Sequence, residues 1–488
     1  MEAKILDILA GIDTVAVKGS LEAEVSGITF DSRKCTPGML FVAIRGVEAD
    51  GHKYIGTAAG NGAAAVICEE EPAEPLPGFC TLIVVKDSRS ALALAASNFF
   101  GNPSSKLNLV GITGTNGKTT TVTLLYNLFM RLGYCCGLIS TIENYIGTER
   151  READHTTPDP VSLNSLLAEM VEKGCGYCFM EVSSHSIDQQ RIAGLQFAGG
   201  IFSNLTHDHL DYHKTFEAYR DCKKRFFDDL PAGAFAISNI DDRNGSLMLQ
   251  NTRARKITCS CRTLADFNCK IIEESIEGME IEIDGKRLWS RFIGAHNAHN
   301  LLAVYSAAVM LGAEKEDILV NMSALGPVSG RLECLRGGKD ITAVVDYAHT
   351  PDALENVLKT LRDTCREREL ICVFGCGGNR DKTKRPEMGA IAVRYADRVV
   401  VTSDNPRFEE PEAIIADIKT GLDTKGRAKA IFITDRREAI RTAIMTAPEG
   451  SVILVAGKGH EDYQIIGGNK SHFSDREAID ETFKELSL

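Results

Sequence analysis

Residues 111–120 restrict the possible folds of this chain more than any other feature. They read Gly-Ile-Thr-Gly-Thr-Asn-Gly-Lys-Thr-Thr, between a β-like run and an apolar helical segment. Gly114 and Gly117 allow the backbone to approach phosphate. Lys118 supplies positive charge, and the hydroxyl of Thr119 can bind magnesium. Strand, glycine-rich loop and helix in this order predict an α/β domain that binds a nucleoside triphosphate.

This loop predicts a ligand but not a reaction. Its spacing, from Gly111 to Gly117-Lys118-Thr119, is one residue longer than the standard phosphate-loop pattern. An incidental glycine-rich turn with a lysine is the alternative, and the strand–loop–helix context argues against it. Motors, kinases, GTPases and ligases can all begin this way, so the reaction stays open at this point.

The hydrophobic pattern indicates α/β architecture throughout. With 488 residues and roughly 150 residues per domain, we expect about three domains. β-like runs alternate with helical segments before residue 104, from residue 107 in the pattern of a doubly wound sheet, and again from residue 333. Residues 260–293 alternate as half-buried antiparallel strands do. The polar stretch 101–105 contains a proline and predicts a linker.

Charge and cysteine usage exclude several function classes. The net charge of −12 argues against broad nucleic-acid binding, which needs a basic face. The fifteen scattered cysteines predict reduced thiols and a cytoplasmic location. The first 17 residues carry acidic side chains within an apolar stretch and predict a helix, not a signal peptide. No apolar run reaches about 18 residues, so we expect no membrane span.

Further motifs carry a family resemblance. They are Glu-Val-Ser-Ser-His at residues 181–185, Asn-Leu-Thr-His-Asp-His-Leu-Asp-Tyr-His at 204–213, Asp-Tyr-Ala-His-Thr-Pro at 346–351 and Asp-Asn-Pro-Arg at 404–407. Together with the phosphate loop they resemble the Mur ligase and folylpolyglutamate synthase superfamily. The similarity is greatest to the Mur ligases that add the third amino acid of peptidoglycan precursors, and it covers nearly the whole chain.

The resemblance implies a fold and a reaction. The fold is α/β in three domains: residues 1–104 bind the uridine nucleotide, 105–331 form the central ATPase and 332–488 a Rossmann-like domain that binds the amino acid. ATP phosphorylates the side-chain carboxylate of UDP-N-acetylmuramoyl-L-alanyl-D-glutamate, and an amine attacks the acyl phosphate. The expected cofactor is Mg²⁺, and we expect a monomer with no nucleic-acid or membrane partner.

The resemblance also assigns the phosphate and metal site. The implied magnesium ligands are Thr119, Glu181, His209 and a carbamylated Lys223. The implied catalytic residues are Lys118, Glu181, His209 and Lys223. The implied ATP contacts are Gly114, Thr115, Asn116, Gly117, Lys118, Thr119, Thr120, Asn297, Arg331 and Asp346. From the residues alone, the histidines at 207, 209 and 213 could form a transition-metal site or be solvated loop residues. Lys223 could belong to a basic helix face with Lys224, and Asn297 and Asn300 could cap a helix.

Muropeptide binding is implied at a third set of residues. These are Phe30, Ser32, Thr156, Thr157, Ser183, Gln189 and Arg191, whose hydroxyls, amide and guanidinium can bind a diphosphate and a carboxylate. The Ser-Ser-His run at 183–185 also suggests a hydrolase. The absence of a Gly-x-Ser-x-Gly turn around it argues against that alternative.

Amino-acid selection is implied at the last set of residues. These are Arg380, Asp404, Asn405, Pro406, Arg407, Gly457 and Glu461. An arginine at position 407 is a similarity to the family members that add meso-diaminopimelate. Its planar guanidinium can pair with the distal carboxylate of that amino acid, which the alternative substrate lysine lacks. A surface turn is the alternative for Arg407, and a dinucleotide loop is the alternative for residues 375–380.

Three other functions stay open from sequence. The chain could be a lysine-adding member of the same family, or a ligase like folylpolyglutamate synthase. It could also be a binding module that switches on nucleotide without ligation. An acceptor assay separates the ligases, and ATP use coupled to amide formation excludes the binding module.

Overall fold

The computed structural model describes residues 2–46, 49–153 and 155–486. The chain divides into two compact units. Unit 1 comprises Met1–Ser260, Leu264–Phe267 and Ala303–Ile318, and unit 2 comprises Cys261–Thr263, Asn268–Leu302 and Leu319–Leu488. The predicted α/β class is confirmed in both units, whereas the predicted domain boundaries stay a prediction.

The N-terminal part of unit 1 is a small α/β sheet. Its elements are β1 (Ala3–Lys4), α1 (Ile5–Ile8), β2 (Thr14–Lys18), β3 (Glu24–Val25), β4 (Ile28–Thr29), β5 (Leu40–Val42), α2 (Ile55–Gly60), β6 (Ala65–Cys68), β7 (Thr81–Val85) and α3 (Ser88–Phe99). The main sheet has the order β2-β7-β6-β5-β4, and β1 pairs with β3. Strands β4 to β7 run parallel, whereas β2 is antiparallel to β7.

The predicted helix over the first 17 residues is wrong beyond α1. That helix ends at Ile8, Gly11 adopts a positive φ of 74°, and β2 follows. The alternating Thr-Val-Ala-Val run of β2 fits a pleated strand, and its pairing with β7 decides the outcome.

The predicted linker is a packed turn. Residues Pro103–Lys106 form a 3₁₀-helix in which Pro103 and Ser104 are buried. Ser104 Oγ accepts a hydrogen bond of 3.0 Å from the backbone N–H of Gln196. The stretch therefore packs within unit 1.

The central part of unit 1 is the doubly wound sheet predicted from sequence. Its strands are β8 (Asn108–Thr113), β9 (Cys136–Ile139), β10 (Asn144–Ile146), β11 (Glu149–Arg151), β12 (Tyr177–Glu181), β13 (Gly199–Phe202), β14 (Phe235–Asn239) and β15 (Arg255–Ser260). Its helices are α4 (Lys118–Arg131), α5 (Pro160–Glu172), α6 (Ser184–Asp188), α7 (Leu210–His213), α8 (Phe216–Asp228) and α9 (Gly245–Met248).

Strand β8 lies between β12 and β13 and runs parallel to both. The strand order in this part of unit 1 is β11-β10-β9-β12-β8-β13-β14-β15. The carboxyl ends of β8, β12 and β13 therefore meet at one edge, where ligands bind in open α/β sheets.

Unit 2 contains an antiparallel ribbon and a mostly parallel sheet. Its strands are β16 (Phe267–Ser275, all but its first residue), β17 (Gly278–Ile283), β18 (Lys286–Ser290), β19 (Glu333–Arg336), β20 (Thr342–Asp346), β21 (Leu370–Phe374), β22 (Arg398–Val401), β23 (Ala430–Phe432), β24 (Val452–Ala456), β25 (Tyr463–Ile466) and β26 (Asn469–His472). The antiparallel pairing of β16, β17 and β18 confirms the prediction for residues 260–293.

The larger sheet of unit 2 has the order β19-β20-β24-β21-β22-β23. Helices α12 (Pro351–Thr364), α13 (Lys384–Tyr395), α14 (Pro411–Lys419), α15 (Thr424–Lys429), α16 (Arg436–Met445) and α17 (Asp475–Glu485) belong to this unit. Helices α10 (Ala295–Met310) and α11 (Lys315–Ser323) contribute residues to both units. Buried apolar side chains such as Val344, Cys372, Phe374 and Leu454 form the core against α12 and α13.

All fifteen cysteines are free thiols, as predicted. The Sγ atoms of Cys135 and Cys175 lie 3.4 Å apart without a bond between them. Among the described residues, no helix combines the length and the apolar character needed to cross a bilayer.

Candidate active site

The phosphate loop connects the end of β8 to the start of α4 and requires glycine at two positions. Gly117 has a φ of 85° and precedes the helix, and Gly114 has a φ of 152°. A Cβ atom at Gly114 would lie 2.0 Å from Ser203 Oγ. The loop thus presents the N-terminus of α4, which favours bound phosphate.

Residues that follow β13 hold this loop in place. The backbone N–H of Asn116 donates to Asn204 Oδ1 at 2.9 Å, and Asn204 Nδ2 donates to the Asn116 carbonyl at 3.0 Å. Ser203 Oγ donates to the same carbonyl at 2.6 Å. The sequence motif contained Asn204 without giving it a role. Asn204 lies just after β13, the strand beside β8, and this position could have indicated a contact with the phosphate loop.

Lys118 lies over its own loop. Its ammonium donates to the carbonyls of Gly114 at 2.9 Å and Thr115 at 2.8 Å. The next two residues, Thr119 and Thr120, are buried in the first turn of α4. The predicted loop residues are therefore contiguous around the helix N-terminus.

Glu181 places a buried carboxylate beside the loop. Glu181 is the last residue of β12 and is 1% exposed. Glu181 Oε1 accepts from Thr119 Oγ1 and from the backbone N–H of Thr141, each at 2.8 Å. A hydroxyl and a carboxylate oxygen at this separation suit a hard cation such as Mg²⁺. The structure thus brings two of the predicted metal ligands together.

Lys223 projects from α8 toward the same loop. Its side chain is 1% exposed, and Nζ donates to the Gly114 carbonyl at 2.9 Å. Burial, followed by repulsion from Lys118, lowers the pKa of Lys223 well below its ordinary value. Lys224, in contrast, forms an ion pair with both oxygens of Asp228 at 2.7 Å. The geometry therefore favours Lys223 over Lys224 and over a simple basic face.

The three histidines of the 204–213 motif have different surroundings. The His209 ring lies 5.1 Å from the His185 ring, and burial lowers the pKa of His209 to about 4. His209 is therefore neutral near pH 7 and has a lone pair for a metal. His207 stacks on Phe216 at 5.3 Å, and His213 packs on Tyr219 at 5.2 Å.

The predicted muropeptide residues form a hydrogen-bonded row that reaches Glu181. Arg191 Nη1 donates to the Thr157 carbonyl at 2.9 Å, and Arg191 Nη2 donates to Gln189 Oε1 at 2.6 Å. Thr157 Oγ1 donates to the Glu181 carbonyl at 2.8 Å. Ser183 N donates to Thr157 Oγ1 at 3.2 Å. A carboxylate bound along this row would lie beside the phosphate loop.

Two further hydroxyls and an aromatic ring complete the predicted substrate set in unit 1. Thr156 Oγ1 accepts from Thr141 Oγ1 at 3.0 Å. Ser32 begins a short 3₁₀-helix after β4, and its carbonyl accepts from Asn61 Nδ2 at 3.1 Å. Phe30 is half-buried against the core of the N-terminal sheet. Ser183 Oγ accepts from the Ser186 N–H at 3.1 Å, as a helix cap does, so it gives the hydrolase alternative no support.

The predicted amino-acid residues of unit 2 cluster at the carboxyl ends of β21, β22 and β24. Asn405 Nδ2 donates to Glu461 Oε2 at 2.8 Å, and a Cβ atom at Gly457 would lie 2.8 Å from Asp404 Oδ2. Arg407 Nη1 donates to the Gly378 carbonyl at 2.9 Å.

Burial raises the pKa of Glu461. The Lys458 ammonium, whose Nζ lies 3.3 Å from Glu461 Oε2, acts in the opposite direction and lowers that pKa. Arg380 is exposed, and Pro406 is buried beside Gly378. The cluster therefore combines buried acidic and amide groups with two guanidinium groups, and it can bind an amino acid that carries both charges.

Three predicted ATP residues also lie in unit 2. Asp346 accepts from the backbone N–H groups of Leu332 and Ala348, each at 2.8 Å, and burial raises its pKa. The Arg331 guanidinium lies 4.7 Å from the Tyr347 ring centre. Asn297 Nδ2 donates to the Ile293 carbonyl at 2.8 Å, and its Oδ1 accepts from Asn300 at 3.0 Å. Both asparagines lie inside α10, so neither is its N-cap.

Family models match three stretches of the chain. The Mur ligase family catalytic domain matches residues 24–100, and the Mur ligase middle domain matches 112–308. The Mur ligase glutamate ligase domain matches 330–459. These three stretches together cover most of the chain.

Individual proteins are similar over nearly the full length. A relative from Parabacteroides distasonis, named UDP-N-acetylmuramoyl-L-alanyl-D-glutamate--2,6-diaminopimelate ligase, is 55% identical over 98% of this chain and 98% of its own. A solved structure of an enzyme of the same name has a TM-score of 0.73, 32% identity and 100% coverage of both chains. The MurF ligase from Thermotoga maritima in complex with ADP has a TM-score of 0.61 and 20% identity, over 94% of this chain and 97% of that one.

Proposed function

The chain belongs to the Mur ligase family, and on that premise we propose that it adds meso-2,6-diaminopimelate to UDP-N-acetylmuramoyl-L-alanyl-D-glutamate. It is an ATP-dependent amide ligase of peptidoglycan precursor synthesis. The observation that carries this function is the 55% identity to a named diaminopimelate ligase over 98% of both chains. The site geometry supplies the residues for each step.

The first step transfers the γ-phosphoryl group of ATP to the side-chain carboxylate of the D-glutamyl residue, which releases ADP. Phosphoryl transfer depends on positioning and charge neutralisation more than on covalent chemistry. We assign the N-terminus of α4 and Lys118 to the terminal phosphates. Arg191 and Gln189, joined at 2.6 Å, would contact the carboxylate, and Thr157 links Arg191 to Glu181 by hydrogen bonds.

We propose Mg²⁺ as the cofactor. Thr119 and Glu181 would hold it with hard oxygen atoms, His209 would add a neutral imidazole, and a carbamylated Lys223 would add carboxylate-like oxygens. The buried Thr119–Glu181 contact of 2.8 Å and the depressed pKa of Lys223 fit that donor set. Bound Mg²⁺ would neutralise charge on the terminal phosphates.

The second step forms the amide bond. An amine of diaminopimelate attacks the acyl carbon, the tetrahedral intermediate expels phosphate, and the amine nitrogen loses a proton. Water must be kept from the acyl phosphate during this step, because it would compete with the amine.

We assign amino-acid selection to Arg407 and Glu461. Arg407 would pair with the distal carboxylate, and Glu461 would accept from the distal ammonium. Among the described residues, Arg407 Nη1 donates to carbonyls, whereas its Nε and Nη2 atoms have no partner. That free edge of the fork is suited to a carboxylate. Arg380, Asp404, Asn405, Pro406 and Gly457 would complete this pocket.

The remaining assignments follow the family. Phe30 and Ser32 would contact the uridine nucleotide, Thr156 and Ser183 the muropeptide, and Asn297, Arg331 and Asp346 the nucleotide of ATP. The domain boundaries 1–104, 105–331 and 332–488, a monomeric state and a cytoplasmic location are part of the same proposal.

The test measures phosphate release from ATP with the UDP-muropeptide present and identifies the product by mass. We expect release and a tripeptide product with meso-diaminopimelate but not with L-lysine. Product with lysine alone would contradict the selectivity. Product with a folate and glutamate would indicate the folylpolyglutamate alternative, and nucleotide binding without product would indicate a binding module.

A further inference from the structure

Two loops of unit 2 are in close contact where they carry the proposed diaminopimelate residues. Residues 375–380 follow β21, and residues 402–409 follow the neighbouring strand β22. The Gly378 N–H donates to the Asn405 carbonyl at 2.9 Å. A Cβ atom at Gly378 would lie 1.9 Å from the Pro406 carbonyl oxygen. The two loops therefore fit together at backbone distance, and a shift in one displaces the other.

Each loop contains a non-glycine residue in the left-handed region. Asn379 has a φ of 52° and Arg407 a φ of 53°. Such conformations persist where the surroundings enforce them. The backbone of Arg407 is held by Ile465, whose carbonyl accepts from the Arg407 N–H at 2.9 Å. Asn379 Oδ1 accepts from the Phe408 N–H at 3.1 Å.

Glu409, in the loop 402–409, links the first loop (residues 375–380) to α13. Its Oε1 accepts from the Asn379 N–H at 2.6 Å and from Arg385 Nη2 at 2.9 Å, while its Oε2 accepts from Arg385 Nη1 at 3.0 Å. Hydrogen bonds from Arg385 and then Asn379 hold the pKa of Glu409 at about 2. Glu409 is therefore a carboxylate at any physiological pH.

Arg385 is an unusual anchor because its side chain is 0% exposed. Besides the two bonds to Glu409, it donates to Asp417 Oδ2 on α14 at 2.8 Å and to the Gly377 carbonyl at 3.3 Å. A buried guanidinium requires such partners. Arg385 thus fixes Glu409 and the start of the first loop to the core of unit 2.

We propose that Glu409, held by Arg385, is a positioning residue that directs the guanidinium of Arg407 and so sets the preference for diaminopimelate over lysine. The Gly378 carbonyl accepts from Arg407 Nη1 at 2.9 Å, and Glu409 accepts from the Asn379 N–H, which belongs to the same peptide group. This inference rests on the proposed function, because it concerns the recognition of the same amino acid.

The test substitutes Glu409→Gln, which keeps the shape but removes the charge and replaces one acceptor oxygen by an amide NH₂ donor. We expect the KM for diaminopimelate to rise about tenfold and the preference over lysine to fall by a similar factor. The KM values for ATP and for the UDP-muropeptide should stay within about twofold, because the residues assigned to those substrates make none of these contacts.

Two variants serve as matched controls. Glu410→Gln changes the exposed neighbour, which makes no side-chain cap, and should match the wild type. Asp417→Asn weakens the other anchor of Arg385 without touching either loop. It should lower thermal stability but leave the diaminopimelate preference unchanged. Glu409→Asp, which retains the charge one methylene shorter, is the second variant if Glu409→Gln folds poorly, and its expected kinetic change is in the same direction.

An unchanged KM and preference in the folded Glu409 variants would overturn the inference. An equal loss of preference in Asp417→Asn would also overturn it, because the role would then be only structural. These outcomes require a wild-type protein that makes the diaminopimelate product. A wild type that makes no such product contradicts the proposed function instead, so the two failures are distinguishable.

Discussion

Neighbouring lysines on α8 show how strongly position changes the chemistry of one residue type. Lys224 pairs with Asp228 at 2.7 Å, whereas Lys223 is buried beside the Gly114 carbonyl with a lowered pKa. A neutral amine is a nucleophile toward carbon dioxide, and a protonated one is not. The lowered pKa of Lys223 favours the neutral amine, which is the form that carbamylation requires.

We expect Lys223→Ala to lower kcat at least about a hundredfold, as the loss of a preorganised charge-stabilising group does. Lys224→Ala is the matched control and should retain activity. Wild-type protein equilibrated with ¹³C-bicarbonate should show a carbamate carbon by NMR that is missing in Lys223→Ala. Equal activity of the two variants would contradict the assignment.

The proposed role of Arg407 in amino-acid selection can be tested by substitution. Arg407→Ala should raise the KM for diaminopimelate about 10- to 100-fold, because a hydrogen bond to a charged group is lost. Arg407→Lys should give an intermediate value, since an ammonium cannot form the two-pronged pairing. Steady-state kinetics measure both. Unchanged kinetics of Arg407→Ala with diaminopimelate would favour the surface-turn alternative.

Residue types and motif spacing identified much of the candidate site, and the structure shows why some of it escaped prediction. Thr119 and Glu181 are 62 positions apart, yet their oxygens meet at 2.8 Å. Family motifs pointed to this pair. The motif at 204–213 contains Asn204 without assigning it a role, and the Arg385–Glu409 pair lies in none of the motifs. The roles of these residues depend on which strands are neighbours. Strand order is a tertiary property that local sequence patterns do not specify.

The connection between β8 and α4 depends on the absence of a side chain at Gly114. A Cβ atom at Gly114 would lie 2.0 Å from Ser203 Oγ and 3.0 Å from the Asn204 carbonyl oxygen. The φ of 152° adds strain for any other residue. The loop can therefore accept a side chain only by moving away from β13.

We expect Gly114→Ala to weaken ATP binding at least about tenfold, because the backbone N–H groups would leave their phosphate-binding positions. Gly176→Ala is the control, since a Cβ atom there would have no atom within 4 Å and its backbone is ordinary. Calorimetric titration with a non-hydrolysable ATP analogue measures both. Equal affinities would show that the loop tolerates the displacement.

The joint between α16 and α17 gives a stability test. Arg436 and Asp475 are both 0% exposed and share two hydrogen bonds of 2.7 Å. Asp475→Asn leaves the buried guanidinium without a counter-charge, which costs about 3–5 kcal/mol. A loss of that size lowers the melting temperature of a unit of this length by about 10 °C.

Glu481→Gln is the matched control, because it removes the exposed partner of the adjacent Arg437. Exposed pairs contribute about 0–1 kcal/mol, so its melting temperature should change little. Thermal unfolding of the full-length variants, followed by circular dichroism, measures the difference. Equal shifts would contradict a special role for the buried pair.

The sequence predicts where strands and helices occur better than where they end or which strands pair. Apolar runs such as Leu370–Phe374 and Val452–Ala456 are strands as expected, because buried parallel strands have continuous hydrophobic sequences. The chain start was mispredicted as a helix because its acidic residues and apolar spacing fit either structure. Pairing of Thr14–Lys18 with Thr81–Val85 provides the deciding energy, and that partner is more than 60 residues away.

For the whole molecule, sequence length and family motifs predicted three domains, and three family models match in the same order. The division into two compact units differs from the three family models, because unit 1 contains both the N-terminal sheet and the phosphate loop. The boundaries at residues 104 and 331 therefore stay a prediction. Proteolysis in the presence and absence of ATP would locate the exposed connections.

Isotope transfer shows whether the amide bond forms through an acyl phosphate. The UDP-muropeptide would carry ¹⁸O in both oxygens of the D-glutamyl side-chain carboxylate, and ATP and meso-diaminopimelate would be added. We predict a tripeptide that retains one ¹⁸O in its new amide and phosphate that contains the other, because the acyl phosphate transfers that oxygen. Tripeptide formed with unlabelled phosphate, or no tripeptide at all, would contradict ligation through an acyl phosphate.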